Sequence, residues 1–204
     1  MPVLYLVIPC YNEEAVLPET VKQLTEKLRA MQADGLIGPA SRMLLVDDGS
    51  KDKTWTLIER FSAENTFVSG LKLAHNRGHQ NALMAGLMTA KDKADCVISL
   101  DADLQDDVGV LDDFMVKFNE GCDVVYGVRN KRETDTFFKR TTALGFYRFM
   151  KALGVDVVYN HADYRLMSRR ALEALSEYRE VNLFLRGIVP LIGYRSDYVY
   201  YDRH

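Results

Sequence analysis

Short, mainly apolar runs alternate along this chain with segments of helical periodicity, and that alternation narrows the folds open to it. Val3 to Ile8 is a continuous apolar run closed by Pro9, and comparable runs lie at Met43 to Val46, Val68 to Leu73, Cys96 to Leu100 and Val124 to Val128. After the first run, Leu17, Val21, Leu24, Leu28 and Met31 recur at helical spacing, with Pro18 in the first turn, where a missing N–H is harmless. Trp55, Ile58 and Phe61 mark a second helix, and Ala82 to Ala90 a third. Val110, Leu111, Phe114, Met115 and Phe118 make a fourth. Strands apolar on both faces must be covered on both faces. The pattern therefore predicts an α/β fold with a mostly parallel central sheet flanked by helices on both faces. A length of 204 residues, with no internal repeat or Pro/Gly/Ser-rich linker, suits one domain spanning 1–204.

In open sheets of this kind, ligands bind beyond the carboxyl ends of the strands. The five runs feed in turn into PCYNEE at 9–14, DDGS at 47–50, HNRGH at 75–79, DADLQD at 101–106 and GVR at 127–129. Polar and charged groups thus collect at one edge of the sheet, which is the predicted site.

From Asp101 to Asp113 there are six carboxylates and no basic residue. Carboxylates this close repel strongly in a partly buried crevice unless a cation neutralises them. An Asp-x-Asp step leaving a strand can turn Asp101 and Asp103 toward one point, and hard oxygen ligands select Mg²⁺ or Mn²⁺ over zinc. Such an ion completes its shell with substrate phosphates, so a diphosphate substrate is expected. Asp106, Asp107, Asp112 and Asp113 are expected to be solvated or to cap the next helix. Asp48 is placed to accept a hydrogen bond from a base or ribose hydroxyl, with Gly49 permitting a tight turn, while Ser50 and Asp52 read as helix caps. His75, His79 and His161 lack metal-ligand spacing and read as ordinary surface or loop residues. The three cysteines, Cys10, Cys96 and Cys122, form no Cys-x-x-Cys pair and read as buried small hydrophobes.

Several function classes fall away. A balance of 26 basic against 29 acidic residues, net −3, provides no field for nucleic acid. Neither Gly-x-Gly-x-x-Gly nor Gly-x-x-x-x-Gly-Lys-Ser/Thr occurs, which disfavours dinucleotide enzymes and P-loop NTPases. No apolar stretch approaches the roughly 20 residues that cross a bilayer, and the N-terminus lacks the basic start of a signal peptide. The tract from Arg129 to Arg140 holds five basic and two acidic residues around Phe137 and Phe138. It follows the fifth strand, so it overhangs the acidic edge and suits a second anionic substrate such as a phosphate.

VIPCYNE at 7–13, VDDGS at 46–50, NRGHQNA at 76–82 and LDADLQD at 100–106 together resemble the family 2 glycosyltransferases. ADYRLMSR at 162–169 and NLFLRG at 182–187 resemble the polyprenyl-phosphate branch of that family, which holds dolichol-phosphate mannose synthases and bactoprenol-phosphate glucosyltransferases. The likeness runs from residue 3 to residue 203. It implies a GT-A fold, a divalent metal (Mg²⁺ or Mn²⁺), a nucleotide-sugar donor and inversion at the anomeric carbon. By the same resemblance, Pro9, Tyr11, Glu13 and Asp48 would hold the nucleotide. Asp101, Asp103 and Gln105 would hold the metal and donor diphosphate. Asp163 matches a carboxylate that serves as base or sugar ligand, and Arg129 and Arg140 match basic positions facing the acceptor phosphate. A UDP-linked donor and a polyprenyl-phosphate acceptor are favoured.

Two departures matter. Asp107 and Val108 stand where the family often places proline, and relatives continue past the position of His204 with basic residues and membrane helices that these 204 residues do not contain. The apolar stretch Leu183 to Ile192, with Arg186 in it, is then expected to lie on a membrane surface, and the protein to act in the cytoplasm at the inner face of the membrane. A phosphate acceptor, with a second pKa of about 6, is already an anion at neutral pH, so Asp163 would orient rather than deprotonate. A hydroxyl acceptor would need Asp163 as base. The rival readings are a haloacid-dehalogenase-like phosphohydrolase with Asp101 as nucleophile, and a non-catalytic nucleotide-sugar-binding module.

Overall fold

The structure, a computed structural model, describes residues 1–130, 161–178 and 185–202. Within them the chain forms β1 (Leu4–Cys10), α1 (Leu17–Ala33), β2 (Arg42–Asp47), α2 (Thr54–Glu64), β3 (Val68–Lys72), α3 (His79–Lys91) and β4 (Cys96–Ser99). A 3-10 turn (Val108–Val110) leads into α4 (Leu111–Asn119). There follow β5 (Val124–Arg129), β6 (His161–Ser168), α5 (Arg169–Ser176), α6 (Leu185–Leu191) and β7 (Ser196–Tyr201).

The strands make one seven-stranded sheet in the order β3-β2-β1-β4-β6-β5-β7. Neighbours among β1 to β4 are parallel, β7 is parallel to β5, and β6 runs antiparallel to both β4 and β5. The expected mostly parallel sheet is present, and β6 and β7 extend it beyond the five runs that periodicity predicts.

Alternation along each strand builds two cores. Leu6, Ile8, Met43, Leu45 and Ile98 face one side, against Leu17, Leu24 and Leu28 of α1 and Phe114 and Met115 of α4. Val7, Leu44, Val46, Val97 and Val124 face the other, against Leu83 and Leu87 of α3 and Leu172 and Leu175 of α5. Each such buried aliphatic side chain contributes about 1.5–3 kcal/mol of apolar burial. The three cysteines are free and buried, as read. Among the described residues, no helix is long and apolar enough to cross a membrane.

The reversal of β6 matters for the site. Its pairing with β4 sets Ser99 opposite Arg165. Continuing both chains by two residues brings Asp163, at the amino end of β6, to the same edge as Asp101 beyond the carboxyl end of β4.

Candidate active site

The loops after β1 and β2 are stitched together by reciprocal hydrogen bonds. Asn12 N donates to Ser50 Oγ (3.0 Å) and Glu13 N to Thr54 Oγ1 (2.8 Å). In return Lys51 N donates to Asn12 Oδ1 and Lys53 N to Glu14 Oε2, both at 2.9 Å. Asp52 Oδ1 accepts from Thr54 N (2.9 Å), the first N–H of α2, from one position before the N-cap residue Lys53, whereas the cap read for Ser50 is corrected, since its hydroxyl is taken by Asn12 N. Asp48 is buried, and its two oxygens accept from Arg77 N (2.7 Å) and Gly78 N (2.9 Å). Its carboxylate thus anchors the loop between β3 and α3. Gly49 has φ +70°, and a Cβ there would stand 2.6 Å from the backbone of His75 and Asn76. Only glycine lets the two loops approach so closely.

These loops wall a cavity of about 270 Å³ at the carboxyl edge of the sheet. Pro9, Tyr11, Glu13, Asp48, His79, Asp101 and Asp103 are among the residues that line it. The wall is strongly acidic. Burial raises the Glu13 pKa, with Asp103, Asp52 and Asp101 adding to the rise. Burial also raises that of Asp101, against His79, and the charges of Asp106, Asp103 and Asp163 reinforce it. Gln105 is not among the residues lining this cavity; its backbone N–H donates to Asp103 Oδ1 (3.2 Å).

The acidic loop is held from beneath. Thr20 Oγ1 donates to Ala102 O (2.6 Å), and Tyr164 OH donates to Asp107 O (3.0 Å). Asp107 accepts from Gly109 N (2.7 Å), the capping expected of it. Asp106 corrects the reading of a solvated cap. It is 5% exposed, and its Oδ1 accepts from Tyr201 OH (2.7 Å) and from Arg129 Nη2 (3.0 Å). The sequence places Asp106 in a polar run, but strands β5 and β7 end over it and exclude water. Between these anchors Leu104 adopts φ +54°, a left-handed conformation uncommon for a branched side chain.

Asp163 sits at the centre of a cationic cluster. Gln80 Nε2 donates to its Oδ2 (3.1 Å), and His79 Nε2 lies 3.5 Å from the same oxygen. Arg186 approaches Oδ1 at 3.3 Å, and the fully buried Arg165 at 3.6 Å. Burial alone would raise the Asp163 pKa; the hydrogen bonds from His79 and Arg186 and the charges of Arg186 and Arg165 outweigh it and hold the group far below the ordinary carboxylate range.

The structure thus gathers Pro9, Tyr11, Glu13, Asp48, Asp101 and Asp103 around one cavity, with Asp163 linked to it through His79, and sets Arg129 beside the acidic loop. Arg140 lies outside the described residues. His79 is corrected from an ordinary loop residue: it lines the cavity, 3.8 Å from Asp101. Its position at the first residue of α3, after a strand and a glycine, is the signal that could have marked it. Arg165, Arg186 and Tyr201 also join the site. The first two lie within motifs singled out by resemblance, whereas nothing in the local sequence marks Tyr201.

A family model described as glycosyl transferase family 2 matches residues 5–176. The chain is 61% identical over 202 residues to an uncharacterized glycosyltransferase, YkoT, of Bacillus subtilis (strain 168), covering 99% of this chain and 60% of that protein. It is 35% identical over 202 residues to a prophage bactoprenol glucosyl transferase homolog of Escherichia coli (strain K12), covering 97% of this chain and 62% of that protein. The chain therefore spans about 60% of the length of these relatives. Among solved structures, the mannosyltransferase PcManGT from Pyrobaculum calidifontis, in complex with GDP-Man and Mn²⁺, superposes with a TM-score of 0.66 at 18% identity, covering 97% of this chain and 55% of that one. That likeness assigns the GT-A fold.

Proposed function

The chain belongs to glycosyl transferase family 2, and we propose that it is the catalytic portion of an inverting enzyme moving a sugar from a nucleoside diphosphate, with UDP favoured, to a polyprenyl phosphate. The likeness to bactoprenol glucosyl transferases supports the polyprenyl acceptor. Family membership displaces the phosphohydrolase alternative. The observation that carries the reading is the acidic cavity at the carboxyl edge, with an ion-paired carboxylate beside it.

In this reading Pro9 and Tyr11 receive the nucleoside, and Asp48 shapes the loop that closes over it. Asp101 and Asp103 offer oxygen donors on one wall, a set that fits Mg²⁺ or Mn²⁺, and their mutual repulsion is what a divalent ion would relieve. No group of three or more His, Cys, Asp or Glu side chains that could hold a metal occurs among the described residues, so such an ion would draw further oxygens from the donor. When bound, it would neutralise charge on the departing diphosphate.

The acceptor phosphate oxygen attacks the anomeric carbon on the face opposite the diphosphate. The new C–O bond forms as the bond to the diphosphate breaks, inverting the configuration. No proton need be removed from a phosphate already ionised at neutral pH. Asp163, held as an anion by hydrogen bonds from Gln80 and Arg186 and by the charges of His79 and Arg165, is a poor base and serves to fix His79 at the cavity wall with Arg186 beside it. Arg129 presents its guanidinium beside the acidic loop, and Arg140 is assigned to the acceptor phosphate by resemblance. A polyprenyl tail sits in a bilayer, which supports action at a membrane surface; the cytoplasmic face is part of the same proposal.

A screen of nucleotide sugars with short polyprenyl phosphates and Mg²⁺ or Mn²⁺, read as release of nucleoside diphosphate, tests this. Transfer from a UDP-sugar, absent with Asp103→Ala, is expected. Metal-independent binding of nucleotide sugars without turnover would instead establish the binding-module reading.

A further inference from the structure

Three hydroxyls from distant parts of the chain hold the loop that carries Asp101 and Asp103. Thr20 of α1 takes Ala102, Tyr164 of β6 takes Asp107, and Tyr201, at the last position of β7, takes the Asp106 side chain. The third anchor differs from the others. It is a hydrogen bond to a charged acceptor, at 2.7 Å and out of water, and such bonds are the stronger kind. It is also shared: Arg129 Nε donates to Tyr201 OH (3.2 Å), and Arg129 Nη2 donates to the same Asp106 oxygen. Asn130 N donates to Tyr201 O (2.8 Å), tying the end of β5 to the end of β7. The Tyr201 ring stands edge-on to Tyr164, centroids 5.3 Å apart, and Tyr164 packs on Phe114 at 4.8 Å. A left-handed Leu104 between Asp103 and Asp106 does not hold its conformation unaided; its surroundings must impose it.

We propose that Tyr201 is a positioning residue for the divalent-ion site: through Asp106, its hydroxyl holds the acidic loop in the shape in which Asp101 and Asp103 share one cavity wall. The proposal rests on the metal-dependent reading above. It assigns β7, the strand farthest from Asp101 in sequence, a part in binding the donor diphosphate.

Tyr201→Phe removes the hydroxyl and keeps the ring packing. Asp106→Asn weakens the same anchor and keeps both rings. Binding of Mn²⁺ in the presence of UDP is followed by the electron paramagnetic resonance signal of free Mn²⁺, with Asp103→Asn as the control that removes a ligand. Thermal unfolding without metal is measured in parallel. Tyr201→Phe is expected to weaken Mn²⁺ binding about 5- to 10-fold, the worth of one hydrogen bond, while its melting temperature without metal moves by no more than about 3 °C. Asp106→Asn is expected to shift affinity in the same direction, and decides the matter alone if Tyr201→Phe does not fold. Wild-type affinity in the folded variants overturns the proposal and leaves the metal reading standing. Failure of the wild-type chain to bind Mn²⁺ with either UDP or GDP overturns the metal reading itself, and the proposal with it.

Discussion

Asp163 accepts from Gln80 and stands within 3.6 Å of His79, Arg165 and Arg186, and that set of partners decides what its carboxylate can do. Each favours the charged form, so the group stays ionised throughout the neutral range. A general base works best with a pKa near the working pH, which Asp163 does not have. Asp163→Asn should therefore lower kcat/KM by about 10- to 100-fold, because His79 and Arg186 lose their common anchor. Above about pH 7 the pH–rate profile should keep its wild-type shape, while any limb set by His79 should move to lower pH, because Asp163 is the main cause of that residue's raised pKa. Loss of an ascending limb in the variant, measured with a polyprenyl-phosphate acceptor, would restore the base role. The linkage has a second consequence. A depressed carboxylate pKa stabilises the fold above its unfolded value, near 3.9, and that contribution is lost progressively as pH falls from there through the depressed folded value.

At the scale of elements, α3 is the part whose placement matters most, since it delivers His79 and Gln80. It sits close on the sheet because Gly86 has no side chain: a Cβ there would meet Val7 Cγ1 at 2.4 Å and Val46 Cγ2 at 2.8 Å. Gly86→Ala should destabilise by about 1–3 kcal/mol through overpacking, read as a lower urea midpoint with an unchanged m-value. It should also raise the donor KM, because pushing α3 off the sheet carries His79 and Gln80 with it. The elements also differ in how legible they are. β1, β2, β4 and β5 have both faces covered, and their apolar runs announce them. β6 is just as buried, yet it carries Asp163 and Arg165, which pair with each other, and Asp163 pairs with Arg186 as well. Such pairing is invisible to hydrophobic periodicity. β7 is an edge strand in which buried Val199 and Tyr201 alternate with exposed Tyr198 and Tyr200, too short a pattern to stand out. The Asp-x-Asp step and the strand-end clusters were legible because parallel topology sends carboxyl ends to one edge. Tyr201 was not, since it reaches that edge only through an added strand, and His79, though it stands in one of those clusters, takes its role from a helix start that the cluster alone does not reveal.

Over the whole molecule, net charge of −3 hides a concentration of carboxylates at the cavity, and that concentration should cost the metal-free protein stability. Asp101 shows the sign. Burial raises its pKa first, His79 opposes, and Asp106, Asp103 and Asp163 reinforce the rise. An acid whose pKa is higher in the folded state loses stability as pH climbs from its unfolded value through its folded one. At neutral pH the full cost is present, reduced by solvent because the side chain is 41% exposed. Asp101→Asn should accordingly raise the melting temperature of the metal-free protein at pH 7 by about 2 °C, and by nothing below about pH 4, where the wild-type group is neutral too. In the wild type, Mn²⁺ with UDP at 100 times the dissociation constant should add about 2.7 kcal/mol of stability, several degrees in melting temperature. In Asp101→Asn that increment should vanish along with transfer. Scanning fluorimetry at pH 7 and pH 4, with Mn²⁺ and UDP or with chelator, measures all of these shifts. A variant less stable than wild type in chelator at pH 7 would show that the His79 contact outweighs the repulsion, and that the cavity is not held under electrostatic strain.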